Sequence, residues 1–446
     1  MHKNILTIII TTIIISTFCF CEERFEYNTG ANLTFSCDTL KFDTVFTGEK
    51  SSVHFVKIIN NSGKNIRINN IHLQNDDNQI HLNINGYKSN AAENIDLRKG
   101  DSIFVFAQAE LKKRESDFEL TNSLIVNTGG ENQSIIITAY GINVTKLNGS
   151  IQENTTLPPH TAYLSNDGIT IEKNAKLIIK EGVTIYFNKN CGISVAGALQ
   201  LDGTLENPVK FQGIRTEEEY SDIPAQWKGV SFSDGSSESV MNYATIKNAQ
   251  TAISISNNNN IIIANCIVKN NFNNGIVIEN SNTLIYNTLI HNCGTSCISI
   301  SGSGQCNILN CTLADYWNIT YRENALFICN ADAQNADIIV ANSIIYGKKS
   351  DEIDFNHNCN IKFYNCLIKS NLNNNDIFNN CTFNLDPAFE NIDLADFRLK
   401  SSSPAVDIAN YGYIMLYDYL ASDYYGNSRT SDRNPDAGFA EYVKPR

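Results

Sequence analysis

Between Asp315 and Glu323 the chain gathers two carboxylates, a guanidinium and three aromatic rings: Asp315, Tyr316, Trp317, Tyr321, Arg322 and Glu323. Aromatic rings stack on sugar faces, and carboxylates and guanidinium groups bond hydroxyls, so this set suits glycan binding. Paired carboxylates could also serve as acid and base in glycoside hydrolysis, and a Lys or Arg base beside a cation could serve elimination from a uronic acid. A loop that is purely structural can carry the same residue types. All three readings stay open at this point.

The other candidates are weaker. The stretch from Arg215 to Trp227 holds Glu217, Glu218, Glu219 and Asp222, an acidic cluster that could hold calcium but is more commonly a solvated loop. His291, alone in a turn beside Cys293, reads as a capping or packing residue rather than a base. Cys293 and Cys297 have neither a CxxC spacing nor a second pair nearby, so no metal site is expected. A net charge of −13 without a basic run weighs against nucleic acid as a partner. The composition, 42% hydrophobic and 18% charged, is that of a folded chain.

The elements that must position these residues are set by a repeat. Asn-led segments begin at Asn242, Asn265, Asn287, Asn310, Asn342 and Asn365, and the first three gaps are 23, 22 and 23 residues. Strand-forming residues follow each Asn, as in Cys266-Ile267-Val268 and Thr288-Leu289-Ile290. A second column, which includes Ala252-Ile253-Ser254-Ile255 and Gly275-Ile276-Val277-Ile278, trails the Asn by ten to fifteen residues. Each turn of chain therefore lays at least two strands on the last, with Asn at the corner bonding the turns above and below. Between Asn310 and Asn342 the gap widens to 32 residues, and the surplus falls on the Asp315–Glu323 loop.

The same repeat accounts for most of the 13 cysteines. Cys266, Cys311 and Cys366 sit immediately after the repeat Asn, where Thr288 and Ser343 stand in other coils, so small size inside a coil is the shared property. Cysteines two coils apart are separated by about 10 Å, beyond reach of a bridge. Buried thiols are expected, with Cys366 and Cys381, on successive coils, as the leading candidates for an exception.

Residues 1–21 carry a basic start, an apolar run from Ile5 to Phe20 and an abrupt change at Cys21-Glu22-Glu23, the pattern of an export signal. Cys21, with Cys19 as the alternative, resembles the lipidation site of bacterial lipoproteins, and Cys21-Glu22-Glu23 resembles those sent to the Bacteroidetes cell surface. The resemblance implies a lipid-anchored protein of a Gram-negative outer membrane or cell surface, touching the membrane only through its anchor.

Residues 24–145 show short alternating runs such as Val53-His54-Phe55-Val56-Lys57 and Ser102-Ile103-Phe104-Val105-Phe106, separated by Asn, Gly and Asp turns. This spacing predicts a β-sandwich, and it resembles the immunoglobulin-like domains that precede repeat regions in bacterial surface proteins. From residue 150 to 385, Lys176-Leu177-Ile178-Ile179, Gly197-Ala198-Leu199, Asn207-Pro208-Val209-Lys210-Phe211 and Trp227-Lys228-Gly229-Val230 resemble the entry coils of right-handed parallel β-helix proteins. About ten coils are expected. Residues 386–446 resemble the closing segment of such proteins and are expected to cap the stack.

The expected protein is all-β: sandwich, right-handed parallel β-helix, cap. Its expected role is glycan binding or adhesion at the cell surface, with a polysaccharide lyase, a glycosidase or a structural spacer as alternatives. No cofactor beyond a calcium ion at the acidic cluster is implied, and no ligand or oligomeric state follows from the sequence.

Overall fold

The computed structural model describes residues 24–444 except 28, 131, 235, 237, 258, 318, 320, 321, 323, 357–358, 373–375 and 432–433, and only the backbone of 331–335. Two compact units divide at Asn143 and Val144.

The first unit is a pair of five-stranded sheets. One sheet orders Thr34–Phe35, His54–Ile59, Ser102–Ala109, Ile80–Ile84 and Tyr87–Lys88; the other orders Thr39–Phe46, Gln133–Ile142, Phe118–Asn127, Ile66–Leu73 and Ala91–Leu97. Neighbours pair antiparallel except Gln133–Ile142 with Thr39–Phe46. Strand alternation turns one side of every long strand inward. Val56, Ile58, Ile103, Val105, Leu124, Val126, Ile135 and Ile137 meet in one buried core.

The second unit is a parallel β-helix with three strands per coil, one more than the two columns legible in the sequence. An 11-stranded sheet contains the strands that follow the corner Asn, including Ile267–Asn271, Leu289–Cys293, Thr312–Asp315 and Ile344–Gly347. The other two columns share a 17-stranded sheet, because Ile298–Leu309 and Phe327–Ala341 run through the bend between them. The additional column, for example Asn260–Ala264 and Asn282–Tyr286, ends directly against the corner residue. Strands stack in register without drift: Ile267 pairs with Leu289, Leu289 with Thr312, Thr312 with Ile344, and Ile344 with Leu367. The stack begins by Thr145, which already pairs with Tyr163.

Asparagine makes the corner because the backbone there is left-handed and Asn tolerates that region better than other side chains. Asn265, Asn287, Asn310, Asn342, Asn365 and Asn380 take φ between 47° and 52°. In the first coil of the series Tyr243, not Asn242, holds that conformation, with φ 47°. The amides bond up the stack: Asn265 Nδ2 donates to Asn242 Oδ1 at 2.8 Å, and Asn287 Nδ2 to Asn265 Oδ1 at 3.2 Å. Inside each corner Cys266, Thr288, Cys311, Ser343 and Cys366 are buried in one column. Burial pushes the Cys266 and Cys311 thiols up to about 12, so they stay protonated core filler.

The 386–446 segment makes its described contacts along the flank of the coils. A hairpin, Phe389–Asn391 with Asp396–Leu399, lays Phe389, Phe397 and Leu399 against Leu289, Ala314, Ile344 and Leu367. The chain then returns along the Asn corner. Asn365 Nδ2 donates to Ile408 O at 2.8 Å, Asn410 N to Asn342 Oδ1 at 2.7 Å, and Asn287 Nδ2 to Ser422 O at 2.8 Å. Arg429, fully buried, donates to Asn287 Oδ1 at 3.3 Å and pairs with Glu441. Gly438, at φ +100°, comes so close that a Cβ would lie 2.7 Å from the Thr312 hydroxyl. Corner amides have donors and acceptors to spare on their outer side, and the segment takes up those of Asn287 and Asn342 and the Asn365 Nδ2, while Asn310 Nδ2 and Asn365 Oδ1 are buried without a partner among the described residues.

Candidate functional site

The inserted loop is built on Asp315, the last residue of the strand Thr312–Asp315. Its carboxylate turns inward, where Oδ2 accepts from Arg322 Nε at 2.5 Å and Oδ1 from the Trp317 backbone N–H at 3.0 Å. Arg322 then reaches the next coil. Nη2 donates to both oxygens of Glu352 at 2.8 Å, and Nη1 donates to the Asn324 carbonyl. The side chains of Asp315, Arg322 and Glu352 are 7%, 4% and 0% exposed. Glu352 also accepts the Lys349 N–H at 2.8 Å. Burial pushes the Glu352 carboxyl up, against the opposing pull of the Arg322 guanidinium.

This triad is a brace, and it removes the guanidinium and one carboxylate from any ligand. Tyr316 is committed as well, since its ring lies 6.3 Å from Phe389 and 6.2 Å from Phe397 beneath the C-terminal hairpin. Trp317 is half-buried, and its carbonyl accepts from Lys348 Nζ at 3.0 Å. Tyr321 and Glu323 lie outside the described residues, as do Cys19 and Cys21. Of the residues expected in a glycan-binding loop, Asp315, Tyr316 and Arg322 turn their polar and aromatic groups to protein, with Glu352 as the partner of Arg322 from the next coil.

The acidic stretch near residue 217 is likewise tied down locally. Arg215 stacks 3.7 Å from the Tyr220 ring and bonds Glu217 at 3.0 Å, while Asp222 accepts from Asn270 at 2.7 Å. Among the described residues no three His, Cys, Asp or Glu side chains converge as metal ligands do. Trp227, which closes the stretch, is buried and stacked 4.4 Å from Phe187. His291 is buried against Phe397 at 4.9 Å, and burial holds its pKa down to about 3.

A cluster of exposed aromatic rings beside an open groove lies in the first unit. On the outer face of its sheet, Phe55, Phe104 and Phe106 are 51%, 40% and 38% exposed. Their rings touch one another with centroids 5.6 to 6.0 Å apart, and Phe104 and Phe106 stack with planes 19° apart. The strand register explains the cluster, since Phe55 pairs directly with Phe106 and Lys57 with Phe104. Asn83 pairs with Phe106 on the other side and with Lys88 beyond it. A groove of about 760 Å³ adjoins the rings, lined by His81, Asn83, Lys88, Asn90, Phe106 and Gln108. The second unit has a smaller cleft of about 260 Å³ over Val240, Ile262 and Leu284, edged by Asn260, Asn282 and Gln305.

The sequence did carry a signal for the aromatic face. Ile103-Phe104-Val105-Phe106, grouped above with the alternating runs, is apolar at every position, whereas a strand with one solvated face alternates with polar residues. Such a run needs cover on both faces or a ligand on one.

The right-handed β-helix region family matches residues 140–313 and 228–387, more than half of the chain. None of the curated proteins is similar to it. Among solved structures, a family 123 glycoside hydrolase from Clostridium perfringens, described for glycolipid glycan hydrolysis, aligns at 11% identity with a TM-score of 0.19. That alignment covers 24% of this chain and 23% of the hydrolase, so the chain spans about a quarter of that protein. A PapD-like domain of human CEP192 aligns at 9% identity over 28% of this chain and 94% of that domain, with a TM-score of 0.19. By its repeat, its three-strand coils and the family match, the chain belongs to the right-handed β-helix family.

Proposed function

We propose that this protein is an exported, lipid-anchored surface protein that binds a polysaccharide on the outer sheet face of its first unit. The observation that carries this reading is the exposed Phe55, Phe104 and Phe106 cluster beside a groove lined by amides, an imidazole, the ammonium groups of Lys50 and Lys88 and the carboxylates of Asp76 and Glu110. Rings of this kind cover the apolar C–H faces of sugars, and Lys88 and the Gln108 side-chain carbonyl supply a donor and an acceptor for hydroxyls, while the Asn90 amide is taken up by Leu82, Asp76 and Ile80. Exposing three contiguous phenyl rings to water otherwise costs burial free energy, so a face of this sort is retained for a ligand. Export and anchoring rest on the Ile5–Phe20 apolar run and on Cys21, with Cys19 as the alternative acceptor.

The test is retention of the mature protein on a panel of plant, algal and host polysaccharides, compared with a Phe104→Ala/Phe106→Ala variant. Losing about 1.5 kcal/mol of apolar contact per ring weakens binding by about tenfold per ring. Retention on no polysaccharide, or retention that the double variant leaves unchanged, overturns the assignment. Anchoring is tested separately by fatty-acid labelling in cells: label lost in Cys21→Ala supports it, and no label in the unaltered chain sinks it.

A further inference from the structure

Among the described cysteines, all of which stand as thiols, Cys329 and Cys359 meet across neighbouring coils, as the corner Cys366 also does with Cys381. Cys329 lies in the strand Phe327–Ala341 and pairs with Phe355 on the next coil. Cys359 lies in the turn just beyond that partner strand. One backbone bond ties this stretch to Cys329, Asn356 N donating to Cys329 O at 3.0 Å, and Cys359 N in turn donates to Asn356 O at 2.9 Å. The two sulfurs are 3.3 Å apart, and the Cys359 thiol also reaches the Cys329 carbonyl at 3.1 Å. A disulfide needs about 2.05 Å between sulfurs, which a small side-chain rotation supplies. Cys329 is buried and Cys359 is half-buried, so an oxidant can reach one member of the pair and not the other.

The position in the stack gives such a bridge a purpose. The last rungs are short, with Leu367–Ile368, Phe378–Asn379 and Thr382–Phe383 of two residues each. A solenoid unravels from its ends, where nearest-neighbour contacts are fewest. A covalent tie between the coils of Cys329 and Cys359 closes a 30-residue segment and restrains the unfolded chain from that end.

We propose that Cys329 and Cys359 form a disulfide site that locks these two coils when the protein meets a disulfide oxidant, either a small-molecule disulfide or a disulfide-donating oxidoreductase. Cys359 loses its proton and attacks one sulfur of the oxidant, forming a mixed disulfide and releasing one thiolate. Cys329 then loses its proton and attacks the Cys359 sulfur, forming the internal bond and expelling the second thiolate. Two thiols are oxidised, one external disulfide is reduced to two thiols, and the two protons pass to the departing thiolates.

The experiment incubates the folded full chain with oxidised glutathione, alkylates the remaining thiols in denaturant, and maps the peptides by mass spectrometry. The expected result is a single linked pair, Cys329 with Cys359, lighter by two hydrogens, with Cys266 and Cys311 alkylated. Limited proteolysis of residues 327–385 should slow on oxidation and recover its rate with reductant. In Cys359→Ser the link disappears and the protection with it. Cys359 trapped as a stable glutathione adduct, both residues alkylated after oxidation, or a link joining only Cys366 and Cys381 would overturn the proposal. Because the map is made on the unaltered chain, it decides even where the variant folds poorly.

Discussion

Replacing Arg322 by Met should destabilise the second unit by about 3–5 kcal/mol at pH 7, the cost of leaving a buried charge pair half-made. The structure fixes both the size and the pH dependence. Arg322 is the shared partner of Asp315 at 2.5 Å and Glu352 at 2.8 Å, and Glu352 is fully buried. Without the guanidinium, Glu352 escapes by taking up a proton, and its folded pKa, already raised by burial, rises further above the ordinary value of 4.5. A carboxyl held protonated in the folded state but free to ionise when unfolded costs about 1.4 kcal/mol for each pH unit above that ordinary value. At pH 7 this amounts to roughly 3.4 kcal/mol, and it vanishes as the pH falls to about 4.5. Arg322→Met/Glu352→Gln should therefore recover most of the loss at pH 7, since the amide is neutral and its oxygen can still accept the Lys349 N–H. Both tryptophans, Trp227 and Trp317, lie in the second unit, so urea unfolding followed by tryptophan fluorescence reads that unit alone. A loss under about 1 kcal/mol, a loss independent of pH, or no recovery in the double variant would refute the brace.

Other consequences are as direct. His291 is neutral and buried, with a folded pKa of about 3 against an ordinary 6.5; stability should be level above pH 6.5 and fall by up to ~1.4 kcal/mol per unit between about 6.5 and 3. That slope should disappear in His291→Leu, as measured by urea midpoints across the range. Asn287→Gly keeps the left-handed corner but loses the amide bonds to Asn265, Ser422 and Arg429, whereas Asn287→Ala also incurs about 1–2 kcal/mol of backbone strain. Thermal unfolding should rank the unaltered chain, Gly and Ala in that order. Gly438→Ala should loosen the C-terminal segment, since its new methyl would meet the Thr312 hydroxyl at φ +100°; faster protease cleavage beyond residue 386 is the readout.

The Asn repeat was enough to read a stacked coil, because the corner conformation and the amide ladder are local and recur with the coil. Two features of the coil stayed hidden for a local reason: the strands Asn260–Ala264 and Asn282–Tyr286 run straight into the corner residue, so no turn residues set them apart. Tyr243 at a corner and Asn380 as a further one show that the backbone conformation, not the amide, defines the position. The cysteines behaved as interior filler because Cys266, Cys311 and Cys366 share one register.

The chemistry was less legible than the fold. Asp315, Tyr316, Trp317 and Arg322 have the residue types of a ligand site, but which way they face is decided by Glu352, 30 residues after Arg322, and by the hairpin carrying Phe389 and Phe397. Conversely, Phe55 and Phe106 are far apart in sequence and become one surface only through strand pairing. By itself the sequence determined the coil, its period and its corner, since these depend on backbone preferences that repeat along the chain. Tertiary structure alone decided what is buried and what is offered to a ligand: burial depends on partners brought together from distant positions, and a side chain's type does not reveal whether such a partner has arrived.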